Sequence, residues 1–351
     1  MSAATWPPVE HQLAQRAASA RRRQAWRVYL GFGALLLGAL IAAPLVGSTR
    51  LHLDSVLDRS TPFADNLDAQ IFFIARLPRV LAAAVVGGTL AVAGVVMQAL
   101  LRNPLATPFT LGVSAGSALG AMLAITLLPT WTAGGFTAVP LASLAGALGA
   151  VLIVYGLAQV RHRGFSTDVL LLAGVTLNAF FSALILLVQY LSDFTQTIRT
   201  LRWLMGDLDV GGYQPLLTAL PLLLVAGGVF AWLARSLNVL ALGAELAGTR
   251  GVPVLTVQRL AFFGASLATG VAVSLAGPIG FVGIIVPHLV RLLVGADHRV
   301  VMPASALFGA AFLMACDALA RVVLSPVELP VGVVTAVLGA PFFLWLLIRK
   351  T

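Results

Sequence analysis

Ten apolar runs, each long enough or nearly long enough to cross a bilayer as a helix, follow one another along this 351-residue chain. They fall at about residues 28–47, 78–101, 110–128, 138–160, 168–190, 214–234, 257–276, 281–296, 303–324 and 331–348. A helix rises about 1.5 Å per residue and a hydrocarbon core is about 30 Å thick, so roughly 20 apolar residues cross it. Lipid offers no partner to an unpaired backbone group, which leaves helices or closed barrels, and runs of this length predict helices. The expected fold is an all-α polytopic membrane protein of about ten transmembrane helices. The eighth run is short for a span. Hydrophobic residues make up 59% of the chain and charged residues 10%, where a soluble domain is roughly 45–50% apolar, so an ordinary soluble enzyme is excluded.

The first run follows Arg21, Arg22 and Arg23, as in a secretory signal. It exceeds the roughly 7–15 residues of a signal's apolar core, and "APLVGS" is a poor cleavage sequence, so it reads as a first span. Residues 1–27 then form a polar, Ala/Arg-rich cytoplasmic arm, mobile or lying on the surface, and 28–351 a single ten-helix membrane domain. Ten spans put both termini on one side. With the termini in the cytoplasm, fifteen of the 22 Lys and Arg residues lie inside, among them Arg27, Arg163 and Lys350, and seven outside: Arg50, Arg59, Arg76, Arg79, Arg199, Arg202 and Arg321. Asp54, Asp58, Asp65, Asp68, Asp207 and Asp209 also fall outside. This agrees with the positive-inside rule. The net charge of +9 is thereby an orientation signal, and no nucleic-acid partner is expected. Trp26, Trp232 and Trp345 mark the inner interface, and Trp131 and Trp203 the outer one. The single cysteine, Cys316, sits in an apolar run and reads as a small core residue.

One stretch, "LLRNPLATPFTLGVSAGS" (residues 100–117), breaks the apolar pattern. Pro104 and Pro108 each remove a backbone donor, and a proline drives the residue before it out of helix, so Asn103-Pro104 ends the second span in an inner turn beside Arg102. Non-helical backbone at this depth must be buried in protein or face water. Gly87, Gly94, Gly112, Gly116, Gly120, Gly146 and Gly149 read as helix-packing positions. "GGTLAVAGVVMQALLRNPL" and "GASLATGVAVSLAGPIGFVG" also echo one another five spans apart. An odd separation makes the copies cross in opposite directions, giving an inverted-repeat relation between spans 2–5 and 7–10.

Ionisable residues within spans are few: Asp168 at the inner start of span five, His288 and Arg291 in span eight, and Asp317 with Arg321 in span nine. Asp317 and Arg321 are four apart and predict an intrahelical pair. His288 reads as a hydrogen-bonded turn residue rather than a proton relay. This scarcity argues against an ion-coupled pump. The chain has no G-x-x-x-x-G-K-[ST] loop, and its only lysine is Lys350, so it cannot hold ATP in a P-loop. No metal-ligand spacing and no nucleophile–base pair is present, so no enzyme activity, metal or cofactor is expected of the chain itself.

"RLPRVLAAAVVGGTLAVAGVVMQALLRNPLATPFTLGVSAG", "LLLAGVTLN", "LGAELAGTRGV", "GPIGFVGIIVPHLVR" and "DALARVVLSPVELPVGVVTAVLGAPFFLWLL" occur in this order over about residues 70–350. Together they strongly resemble the permeases of ABC importers for vitamin B12, haem and ferric siderophores, the FecCD or BtuCD-type family of type II importers. The resemblance implies a multi-pass subunit of the bacterial inner membrane, working with a second copy of itself. It implies two cytoplasmic ABC ATPase subunits, which bind ATP and Mg, and a periplasmic or lipid-anchored substrate-binding protein. By similarity, Arg76 and Arg79 of "RLPR" and Arg321 of "DALAR" face the periplasm and dock carboxylates of the binding protein. The loop holding Leu242, Gly243, Glu245, Ala247 and Gly251 resembles the coupling helix that sits in the ATPase. Arg250 and Ala244 depart from the family's usual residues there. Asn103, Pro104 and Leu105 resemble a gate at the inner mouth of the pathway, and Ser166 and Thr167 of "GFSTD" a second constriction. The implied cargo is an iron chelate, such as a ferric siderophore or haem, or vitamin B12. No side chain of the chain names one, and "WLMGDLDVGGY" (residues 203–213), at the outer mouth, has no chemical translation.

Two rival readings are an ion-coupled secondary transporter and a membrane subunit that moves nothing. Both predict that Arg76 and Glu245 can be replaced with little loss of uptake.

Overall fold

The structure, a computed structural model, describes residues 8–58, 60–133, 136–161 and 166–349. Arg59, Arg163 and Lys350 of the charge count lie outside these residues, as do Gly164 and Phe165 of "GFSTD". Helix α1 (Pro8–Ala42) runs unbroken through the boundary expected at residue 27. Its sequence is rich in Ala, Arg, Gln and Leu, all strong helix formers, and meets no further proline until Pro44. A 3-10 turn over Ala43–Leu45 carries the chain out of it.

Two short helices follow, α2 (Leu53–Leu57) and α3 (Leu67–Gln70). The Asn66 side chain caps α3 by accepting from the Ala69 N–H at 3.0 Å. A π-helical stretch over Ile71–Arg76 then leads without a break into α4 (Leu77–Leu101), so one apolar rod covers Leu67–Leu101. A 3-10 turn at Pro108–Leu111 takes up the start of the third run and leaves α5 (Val113–Leu127) short. A two-residue ribbon, β1 (Thr132–Ala133) with β2 (Phe136–Thr137), leads to α6 (Ala138–Arg161) and α7 (Thr167–Leu191).

Helix α8 (Phe194–Leu204) matches none of the ten runs. It forms because Asp193 and Gln196 make a capping box. Asp193 Oδ1 accepts the Gln196 N–H at 2.8 Å, and Gln196 Oε1 accepts the Asp193 N–H at 3.2 Å. The remaining helices are α9 (Gln214–Leu240), α10 (Ala244–Thr249), α11 (Val254–Ala276), α12 (Val282–Val294), α13 (His298–Val322) and α14 (Val331–Arg349). Among the described residues, seven helices are long and apolar enough to cross a membrane, and Val113–Leu127, Val282–Val294 and Val331–Trp345 are shorter apolar ones. Each of the ten coincides with an expected run. The chain is an all-helical, multi-pass membrane protein.

Helix α4 lies at the centre, packed by α9, α11, α12 and α13. Small residues let it be so surrounded. A Cβ on Gly87 would run into the Gly309 carbonyl of α13, and one on Gly94 into the Gly283 carbonyl of α12; Gly116 of α5 meets Gly146 of α6 in the same way. No hydrophobic force drives helices together in lipid, so such backbone-to-backbone approach supplies the attraction. Gly149 does not share this role, having nothing within 4 Å of a built Cβ. Cys316 is buried. Gln98 of α4 adds a polar bolt, donating to the Gly283 carbonyl at 3.1 Å and accepting from Arg291 of α12. His288 lies inside α12 rather than in the expected turn, because Pro287 is accommodated within the helix.

Candidate functional site

On the positive-inside expectation, the end of the bundle richer in Lys and Arg is the inner one and the opposite end the outer. At the outer end, Arg76, Arg79 and Arg321 converge on one buried network. Arg76 donates to the Pro44 and Leu45 carbonyls at 3.1 and 3.2 Å and also to the Thr49 carbonyl. Its guanidinium occupies the place a Cβ would take at Gly47. Arg321, 2% exposed, donates to the Val46 carbonyl at 2.6 Å and the Ala43 carbonyl at 2.9 Å. Between Arg321 and Arg79 lies Asp317, with no exposed surface. Its Oδ1 accepts from Arg79 Nε at 2.8 Å, and its Oδ2 is 3.0 Å from Arg321 Nε. The second contact is an ion pair without a well-directed hydrogen bond, since that N–H points toward the Asp317 main-chain carbonyl at 3.4 Å. Arg79 also reaches Glu328 at 2.6 Å.

The expected intrahelical pair is thus part of a cluster that draws in α4 and the turn after α1. Arg76 and Arg321 are buried in this structure, and Arg79 keeps 13% of its side chain exposed. The turn at 43–49 and Asp317 take their donors, and the part of the cluster nearest solvent is the Arg79–Glu328 pair, 13% and 39% exposed.

At the inner end, α4 stops at Arg102, which adopts the left-handed conformation (φ 50°). The Asn103 side chain then accepts the Leu105 N–H at 2.9 Å, and its carbonyl accepts the Ala106 N–H at 3.1 Å. This Asx-type turn explains why Asn precedes Pro104. Leu105 is exposed. Ser166 stands at the N-cap of α7 and Thr167 opens it. The segment after this turn and α7 are held together further along, where Asn178 donates to the Phe109 carbonyl at 3.1 Å and Gly174 receives Thr110 and Leu111 against its bare Cα. Neither Asn178 nor Gly174 was given a role from sequence, although "LLLAGVTLN" contains both.

Beside this turn lies α10. Gly243 precedes it with φ 127°, in the region glycine favours, and a Cβ there would sit 4.0 Å from Arg102 Nη1. Ala247 is fully buried, its N–H bonding the Gly243 carbonyl and its own carbonyl accepting the Val252 N–H, both at 3.0 Å. Gly251, at φ 77°, turns the chain into α11. Leu242, Glu245 and Leu246 are left exposed. The result is a short, firmly seated helix with two exposed leucines and a carboxylate. Asp297, in the loop before α13, accepts from Asn238 at 2.7 Å and from Arg299. These hydrogen bonds, the Arg299 side chain foremost, hold it well below the usual carboxylate range.

Residues 203–213 close the outer side. Gly206, Gly277 and Gly332 bring this loop, the α11–α12 turn and the start of α14 backbone to backbone, and the Asp207 N–H bonds the Ala276 carbonyl at 2.9 Å. A cavity of about 470 Å³ opens beside the loop between α6, α9 and α11, bordered by Trp203, Asp209 and Ser274. Trp26, Trp131, Trp232 and Trp345 are exposed, whereas Trp203 packs on Met122 and Ile185. Asp168 is exposed in the first turn of α7. Among the described residues no group of His, Cys, Asp and Glu is arranged to hold a metal ion.

The family model of the FecCD transport family matches residues 35–349. The hemin transport system permease HmuU of Yersinia pestis is 38% identical, the match covering 92% of this chain and 96% of that one. The vitamin B12 import system permease BtuC of Escherichia coli is 40% identical over 94% and 97%. The cobalamin import system permease BtuC of Halobacterium salinarum is 46% identical over 78% and 72%. Among solved structures, a metal-chelate type ABC transporter in an inward-facing conformation superposes with a TM-score of 0.79. It is 33% identical, and the match covers 93% of this chain and 99% of that one.

Proposed function

The chain belongs to the FecCD transport family and is a permease subunit of an ABC importer, and on that premise we propose that two copies enclose a pathway powered by separate cytoplasmic ATPase subunits. ATP and Mg are bound by those partners, and a substrate-binding protein outside the membrane delivers the cargo. The chain contributes no catalytic group, cofactor or metal. Its location is the inner membrane of a bacterium, with all ten apolar helices crossing and both termini in the cytoplasm. The inverted relation between spans 2–5 and 7–10 is supported by the matching ends of α4 and α11. Each stops at a residue with positive φ, Arg102 or Gly277, with a proline one or two residues on.

The observation that carries the reading is α10. Exposed Glu245 and Leu246 on a helix anchored by buried Ala247, with exposed Leu242 in the turn before it, are what a rigid body needs to fit a groove of another protein and transmit its movement. Closure of the ATPases at α10 would reach Arg102 and the turn at Asn103, Pro104 and Leu105, and through Asn178 the start of α7 at Ser166 and Thr167. These two stretches form the inner gate. Docking of the binding protein at the outer side engages the Arg79–Glu328 edge, with Arg76 and Arg321 holding the turn beneath it. The cargo is a compact metal chelate of the haem, corrinoid or ferric-siderophore class.

The test is co-purification with the ATPase encoded beside it, followed by ATP hydrolysis and cargo uptake in liposomes with loaded binding protein. Hydrolysis-driven uptake that falls at least tenfold in Leu246→Ala or Glu245→Ala, with assembly weakened by about 1–3 kcal/mol as for an interface hot spot, is expected. Uptake driven by an ion gradient without any ATPase would sink the proposal.

A further inference from the structure

A groove of about 340 Å³ runs between α9 and α13, with Val92 of α4 in its floor. Its walls are Gly227, Phe230 and Ala231 on one side and Met302, Pro303 and Ala306 on the other. Nothing lies within 4 Å of a Cβ built on Gly227. Water deep in this groove would lack the two to four polar partners it needs. Hydrocarbon would not.

The groove ends at the inner side in a polar rim, at the level where Trp232, next to Ala231, is 64% exposed, as a headgroup-level tryptophan should be. There the Asp297 carboxylate is fully engaged: it takes hydrogen bonds from Asn238 at 2.7 Å and from Arg299 Nη2 at 2.7 Å, Arg299 Nε at 3.1 Å and the Arg299 main-chain N–H at 3.0 Å. His298 is buried with its Nδ1 2.6 Å from Asn238. The clasp fixes the Arg299 guanidinium at the mouth of the groove, 57% exposed, with Nη1 turned away from Asp297. Arg235, exposed, stands one helical turn beyond Ala231 on the same face of α9. Arg299 thus lines the mouth with Arg235 one helical turn from its wall, two cations against one carboxylate, and no acid lines the walls.

We propose that this groove is a phospholipid site, in which one acyl chain lies between α9 and α13 and the phosphate of an anionic lipid is held by Arg299 and Arg235. Apolar walls at membrane depth select a hydrocarbon chain, and the net positive rim selects an anionic headgroup, the kind enriched on cytoplasmic leaflets.

The full chain would be purified from bilayers of equal phosphatidylglycerol and phosphatidylcholine, and its retained lipids counted by native mass spectrometry. Phosphatidylglycerol should be retained preferentially, falling about fivefold for each of Arg235→Gln and Arg299→Gln, the effect of one cation at a membrane surface. Ala231→Phe, which fills the groove, should abolish retention of both lipids. Equal retention of the two lipids by the unaltered chain, or unchanged phosphatidylglycerol in both arginine variants, overturns the proposal. So does cross-linking of Ala231→Cys to a second copy, which would put protein in the groove. If Ala231→Phe does not fold, the exposed Arg235→Gln still decides the matter.

Discussion

Replacing Asp317 by Asn keeps the side-chain volume and takes one negative charge from between two guanidinium groups. In the native chain Asp317 has no exposed surface, Arg79 Nε is 2.8 Å away and Arg321 Nε 3.0 Å. After the change Arg79 keeps Glu328, which is 39% exposed, but Arg321 keeps only the neutral carbonyls of Val46 and Ala43. Breaking a buried pair from one side costs about 3–5 kcal/mol, because the surviving charge has lost its compensation. The two carbonyls still hydrogen-bond Arg321, and Asn can still accept from Arg79, so the low end, about 3 kcal/mol, is expected. That is more than a hundredfold in the unfolding equilibrium, at about 1.4 kcal/mol per tenfold. Reversible unfolding in mixed micelles, followed by tryptophan fluorescence, reads this directly. Adding Arg321→Met to Asp317→Asn removes the orphaned charge and should restore part of the loss. The reasoning fails if Asp317→Asn lies within about 0.5 kcal/mol of the native chain, the ordinary spread for a surface change. It fails equally if the double variant is no more stable than the single one.

Three further outcomes are expected. Gly94→Ala should destabilise by about 1–3 kcal/mol, since its methyl meets the Gly283 carbonyl, whereas Gly149→Ala, facing open space, should be near neutral; thermal melting of the two in the same detergent makes the comparison. Asn178→Leu should cost about 1 kcal/mol of stability by freeing the Phe109 carbonyl and should slow uptake more than it weakens assembly with the ATPase, two readouts that can be taken on one preparation. Asp297, held below its ordinary value by Arg299 first and Asn238 after it, contributes stability that is present above the unfolded carboxylate value of about 3.9 and is lost as pH falls below it toward the folded value. Melting temperatures at pH 5 and pH 3 should therefore drop more in the native chain than in Asp297→Asn, and an equal drop would refute the assignment.

The ten apolar helices are legible in the sequence because length and hydropathy are properties of contiguous residues. Even α12, only 13 residues long, stands where the short eighth run falls. Helix α8 is announced only by the D-x-x-Q pattern at Asp193, because polar residues interrupt its apolar ones. The inner turn is equally local: Asn103 makes its Asx turn with a neighbour two residues on, so the Asn-Pro dipeptide announces it. What the sequence hides is non-local. The acceptors of Arg76 are main-chain carbonyls 27 to 32 residues away, and a carbonyl has no letter. Family resemblance identifies the arginine, but whether it faces outward depends on a turn that only Gly47, by lacking a side chain, hints at.

This division bears on how the two ends of the molecule communicate. Arg79 stands in the first turn of α4 and Asn103 just past its last, and that helix of 25 residues extends about 37 Å at 1.5 Å per residue. Along its length small residues bring it to backbone contact with α12 and α13. Packing this close leaves few ways to bend and makes rigid-body movement the cheaper response. Under the proposed docking, a binding protein acting on the Arg79–Glu328 edge would pull on the same rod whose other end is the Asn103 turn. Of the buried arginines below, Arg76 fastens that rod and Arg321 fastens α13 to the turn at the end of α1, through the carbonyls of residues 43–49. Their burial is thus compatible with a part in docking. They need not touch the partner to decide whether a force applied at the outer edge moves α4 alone or carries α1 and α13 with it.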